Sequence, residues 1–148
     1  MSIGQRGQLS VEYLLLILVF LLILGSVTIP LIGSSIDAAN DVSNTAAAKS
    51  IVDDIGNAVN IVYANGPGAR RTLNVFVPTD MTLASNNQEN ILTMTLQLSD
   101  EEDKLVSSNI DSNVVVRTTN LNRRNYEAVI YWPSGSSDIE VTLNNIGE

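Results

Sequence analysis

Gln8-Leu9-Ser10-Val11-Glu12-Tyr13, followed at once by Leu14-Leu15-Leu16-Ile17-Leu18-Val19-Phe20-Leu21-Leu22-Ile23-Leu24, is the stretch on which the fold turns. From Leu14 to Leu24 every side chain is aliphatic except Phe20, so a helix built from it has no polar face. Such a helix belongs in a membrane or at the centre of a large bundle. Gly25, Ser26, Thr28 and Pro30 interrupt the run without ending its apolar character, and nothing is charged from Tyr13 through Ile36. As a helix, Leu14 to Ile32 spans about 28 Å, close to the hydrocarbon thickness of a bilayer. Arg6 precedes the run, and Asp37 and Asp41 follow it, which orients the N-terminus inward and the C-terminus outward.

Two ordinary readings of such a block are a cleaved secretory signal and a plain signal anchor. Leu14 to Leu24 has the length of a signal-peptide core, but Gly33-Ser34-Ser35 makes a mediocre cleavage site. Neither reading accounts for Glu12, a carboxylate at the mouth of an apolar helix. Drawn to the centre of a bilayer it costs about 2.5–3.5 kcal/mol. Near a helix N-terminus it is less costly, because it meets the positive end of the macrodipole.

Gly7-Gln8-Leu9-Ser10-Val11-Glu12-Tyr13 resembles the class III signal peptide of archaeal type IV-like pilin precursors, the methanogen adhesion-pilus family among them. The likeness is specific over residues 7 to 13 and extends over the remainder only as architecture. It implies that a prepilin peptidase cuts between Gly7 and Gln8 on the cytoplasmic side and leaves the apolar helix in the mature protein. Gln8 then becomes the new N-terminus, and Glu12 falls on the position of the signature pilin glutamate. A carboxylate in a filament core needs a partner, and the freed α-amino group of Gln8 on a neighbouring subunit is the natural one. Processing would thereby create a docking contact that the precursor lacks.

From Ile36 to Tyr63 there is no proline and helix formers dominate. Ala47, Ala48, Ile51, Val52, Ile55, Ala58, Val59, Val62 and Tyr63 fall on one face, with Lys49, Ser50, Asp53, Asn57 and Asn60 on the other. Pro30 is expected to kink the helix, and Gly25 and Gly33 to loosen it. The alternative is a separate second helix capped by Ser34 or Ser35. Asn65-Gly66-Pro67-Gly68 is a strong stop signal.

Beyond it the period becomes two. Strands are expected around Leu73–Val77, Leu92–Leu98, Val114–Thr118, Tyr126–Trp132 and Ile139–Leu143, with Ser134-Gly135-Ser136-Ser137 as the last hairpin turn. With no helix between them, about five strands should form an antiparallel sheet covered by the apolar helical face. Pro78 to Asn90 reads as an exposed, Asn-rich loop.

Few other residues point to chemistry. The chain has no cysteine and no histidine, which excludes disulfides, Cys/His zinc sites and triads of the Ser-His-Asp or Cys-His kind. Asp100-Glu101-Glu102-Asp103 lacks the spacing and turn glycine of a calcium loop and reads as a solvated turn. Arg70-Arg71 and Arg123-Arg124 read as rim charges, available to acidic groups of adjacent subunits. Tyr126, Tyr131 and Trp132 read as core or edge packing, with a sugar-stacking platform as the alternative. No asparagine is followed two residues later by serine or threonine, so the standard glycosylation acceptor is absent. A net charge of −8 disfavours binding to phosphate backbones.

The sequence is thus expected to give an α+β fold in four parts. These are a cleaved leader at 1–7, a transmembrane or filament-core helix at 8–33, its amphipathic continuation at 34–65, and an antiparallel β-rich head at 66–148. The expected role is structural: a pilin subunit, made in the cytoplasmic membrane, assembled into an extracellular pilus and used in surface adhesion. Its expected partners are identical or related pilin subunits, the prepilin peptidase, the assembly platform and the membrane before assembly, with no nucleic acid, cofactor or metal. Neither P-loop nor dinucleotide fingerprint occurs, so no enzyme activity is expected. The alternatives are a membrane-anchored binding protein that does not polymerise, and a minor or priming pilin.

Overall fold

The computed structural model describes residues 4–100 and 102–146, with side chains from Val11 onward. The first element, α1, is the helix Gly4–Asn65. It runs through Pro30 and through Ser34 and Ser35, so the alternative of a separate second helix is overturned. Pro30 offers no N–H to the preceding turn. Ser26 Oγ donates to the Ile23 carbonyl at 2.8 Å, and Ser34 and Ser35 Oγ donate to the Leu31 carbonyl at 3.1 and 2.8 Å. These hydroxyls thus bond back into the turn before them, where a cap would bond forward. The end of α1 falls on the expected stop. Gly66 takes φ +86°, and its N–H bonds the Val62 and Tyr63 carbonyls, both at 3.2 Å, an αL cap that glycine adopts without a Cβ penalty.

The chain divides into two compact units, residues 1–39 and 40–148. In the first, the described part is helix, and its side chains from Val11 to Ala39 are exposed, Gly25 alone being half-buried. α1 is the one helix among the described residues that is long and apolar enough to cross a membrane.

The second unit holds the remainder of α1 and eight strands: β1 Arg70–Val77, β2 Met81–Asn86, β3 Ile91–Gln97, β4 Asp103–Asn109, β5 Val114–Val116, β6 Asn120–Leu121, β7 Arg124–Tyr131 and β8 Ile139–Asn145. They form two four-stranded sheets, ordered β1-β7-β8-β5 and β4-β3-β2-β6. The core draws on Val52, Ile55 and Val59 of α1, on Ala128, Ile130, Ile139 and Val141 of the first sheet, and on Leu83, Leu92 and Met94 of the second. Burial alternates along β2, β3, β7 and β8, as the side-chain period of two demands.

All five expected strands are present, and Gly135, at φ +90°, lies in the expected turn between β7 and β8. The expectation of about five strands in a single sheet is corrected to eight in two. Asn-rich residues 78–90 are not all loop. Met81 and Leu83 are buried with Thr82 and Ala84 outward, so β2 pairs β3 from Met81↔Leu96 to Asn86↔Ile91 and only the last few residues turn. The sheet is also not wholly antiparallel, because β5 pairs β8 in parallel, Val114↔Ile139 to Val116↔Val141. A parallel pair needs a crossover, usually helical. Here the chain makes it without a helix, through β6 in the other sheet and then β7.

Candidate functional site

The segment singled out by sequence lies on the N-terminal part of α1. Gly7 and Gln8 fall within the helical backbone, but their side chains lie outside the described ones. Glu12 is exposed, one helical turn beyond Gln8, and among the described residues its carboxylate has no hydrogen-bond or ion-pair partner within the chain. Tyr13 and the residues from Leu14 to Leu24 are all exposed, each with about half or more of its surface open. The helix therefore presents a fully apolar cylinder headed by one carboxylate. No group within the chain covers it, and in water that area carries the full hydration cost of apolar surface. Gly25 has no heavy atom within 4 Å of where a Cβ would stand, and neither does Gly33.

The amphipathic part behaves differently. Ala48, Ile51, Val52, Ile55, Ala58, Val59 and Val62 are buried, as the helical spacing indicated. Ala47 is only half-buried, and Tyr63 remains 44% exposed while stacking on Trp132 with ring centroids 5.6 Å apart. Gly56 lets the helix approach β4: a Cβ there would stand 2.6 Å from Ser108 Oγ. On the polar side Lys49 Nζ bonds Asp53 and the Ser107 carbonyl, the latter at 2.9 Å. The hydrogen bond from Lys49 holds the Asp53 carboxyl below its ordinary range. Asn60 donates to the Asn109 carbonyl at 3.3 Å and accepts from the Asp111 N–H at 2.9 Å. Asp41 accepts from both the N–H and the hydroxyl of Ser99. No local pattern in the sequence signals these last ties, since their partners are about fifty or more residues apart.

The remaining candidates separate. Asp100 and Glu102 belong to the tight β3–β4 turn, where the Glu102 N–H bonds Asp100 Oδ1 at 3.2 Å, while Glu101 lies outside the described residues. Arg70 and Arg71 open β1 and Arg124 opens β7, and with Arg123 they make no ion pair among the described residues. Of the three aromatics, Tyr126 is buried and its hydroxyl accepts from the Asn122 N–H at 3.0 Å. Trp132 Nε1 donates to the Ser136 carbonyl at 2.9 Å, and Tyr131 is 38% exposed. Tyr126 and Trp132 are thus packing residues, and the three do not form one platform.

Residues 5–31 match the family model of the class III signal peptide. No curated protein and no solved structure matches the chain. The match begins just ahead of Gly7 and ends just past Pro30, so it covers Gln8, Glu12 and the whole apolar cylinder. The chain therefore carries a class III signal peptide within a long apolar N-terminal helix, the combination that fits a type IV-like pilin precursor.

Proposed function

We propose that the protein is the precursor of a structural subunit of an extracellular filament, and not an enzyme. The observation that carries this reading is the coincidence of the class III signal peptide with an apolar helix that the rest of the chain leaves exposed. A prepilin peptidase cuts between Gly7 and Gln8, and the helix stays with the mature subunit. In the membrane, lipid covers the cylinder. In the filament, the helices of other copies cover it and form the core, while the β-rich unit lies outside.

Glu12 gives this transfer its chemistry. Leaving lipid for a protein core strips the carboxylate of water, and an unpaired charge there is strongly destabilising. Cleavage creates one new cation per subunit, the Gln8 amine, suited to the Glu12 carboxylate of a neighbour. Only processed copies offer it, so assembly is restricted to mature subunits. Adhesion to surfaces is the use that this architecture supports best, because residues 40–148 supply the face turned to the surroundings.

The reading is tested by electron microscopy of purified surface filaments together with peptide identification. Filaments yielding peptides of residues 70–146 are the expected result. Processed protein that stays in the membrane fraction under all growth conditions would count against polymerisation.

A further inference from the structure

Residues 40–148 carry one markedly apolar groove, and it has no occupant within that unit. It measures about 520 Å³ and lies between α1 and the β3–β4 hairpin, lined by Val42, Thr45, Ala46, Leu98, Lys104 and Val106. Val42 is 71% exposed. The α1 residues recur at helical spacing on one face. Asp41, at the rim, is already engaged with Ser99. Lys104 makes no ion pair among the described residues.

Lipid does not suit this groove. Asp37 and Asp41 stand between the uncharged run and the groove, and bringing the groove into a bilayer would draw both carboxylates with it. The chain itself offers a better match. Ile29, Gly33, Ile36 and Asp37 share one face of α1, being spaced by four, three and one residues. Ile29 and Ile36 are exposed. Gly33 sits in mid-helix with open space beside it, so nothing within the chain calls for a glycine there, although glycine weakens a helix relative to alanine. A small residue in such a helix is explained by close approach of another molecule. Asp37, one helical step beyond, supplies the charge opposite to Lys104.

We propose that the groove receives the Ile29–Asp37 segment of α1 from a second copy of the chain, with Gly33 of that copy over Thr45 and Ala46 and its Asp37 beside Lys104. This rests on the filament reading and specifies one of its contacts. Groove and segment are different patches of the same chain, so the contact is heterologous and propagates into an open polymer unless its rotation closes a ring. Each copy brings one apolar segment that needs cover and one apolar groove that needs filling. The fit is therefore one to one along the filament.

Charge reversal in the full-length chain tests it. Lys104→Glu and Asp37→Lys each place like charges together across the contact, and each should lower filament yield at least about tenfold while leaving processing unchanged. The double variant restores the pair in reverse and should recover filaments, which also shows that neither change acts by unfolding. In addition, Gly33→Cys with Ala46→Cys should give a ladder of covalent multimers on oxidation of assembled filaments, in a chain that has no other cysteine. Wild-type filament yield from both single reversals, no recovery in the double variant, or no ladder from filaments carrying both cysteines would each overturn this contact while leaving the polymer reading intact. A processed, unaltered chain that forms no filaments would overturn both.

Discussion

Glu12 is the last charge before an uncharged run that extends from Tyr13 to Ile36. On the reading proposed, its value lies in what it meets after assembly. Glu12→Gln keeps the shape and removes the charge, which leaves the neighbouring Gln8 amine without its partner. Breaking a buried pair in this way costs about 3–5 kcal/mol, and the filament repeats the contact in every subunit. The expected phenotype is cleaved subunit held in the membrane with few or no filaments, read by mass analysis and microscopy together. Normal filaments would reduce Glu12 to a helix-dipole feature, worth about 0.3–1 kcal/mol. A second charge acts within residues 40–148. Lys49 lowers the pKa of Asp53, so the folded state binds that proton less readily than the unfolded chain. The resulting stability is present above the ordinary carboxylate range and is lost as pH falls through the lowered value. Both side chains are more than a third exposed, so solvent screens the pair and the effect is small. Acid titration of unfolding should show a slightly shallower loss of stability in Lys49→Met than in the unaltered protein.

Among the elements, α1 was the most legible. Its apolar face from Ala48 to Val62 and its stop at Gly66 follow directly from helical spacing and from glycine's access to positive φ. Ile55 is fully buried at the middle of that face, and Ile55→Ala should destabilise the folded state by about 2–5 kcal/mol, measured by chemical denaturation. The strands were legible where apolar and polar side chains alternate, as in Leu92-Thr93-Met94-Thr95-Leu96. They were hidden where the pattern is weak. β4 pairs adjacent Leu105 and Val106 with Asp, Lys, Ser and Asn, because as an edge strand it buries little of its surface. In β6 a single buried residue, Leu121, marks two residues of pairing. The parallel β5–β8 pair was illegible for another reason: register between distant strands is set by how the two sheets share the core, which local periodicity does not encode. Of the candidate site, the residues were readable from the segment around Gly7 to Tyr13. The groove facing Val42 was not, since Leu98 and Val106 join it only through the fold.

For the molecule as a whole, two units with opposite solvent preferences share one chain. The core of residues 40–148 is built from its own helix and sheets. A chain beginning at Ser34 should therefore be soluble and monomeric, with circular dichroism reporting both helix and strand. A disordered spectrum would mean that this core needs filament neighbours. The preceding residues have no such core, and their apolar surface is matched first to lipid and then to other copies. The central claim is that cleavage ahead of the apolar helix converts a membrane precursor into a filament subunit. Intact-mass and N-terminal peptide analysis of the protein recovered from the cell surface tests it most directly. The account predicts a mature chain starting at Gln8 with the apolar helix retained. A chain starting at Met1, or one starting beyond Ile32, would contradict it.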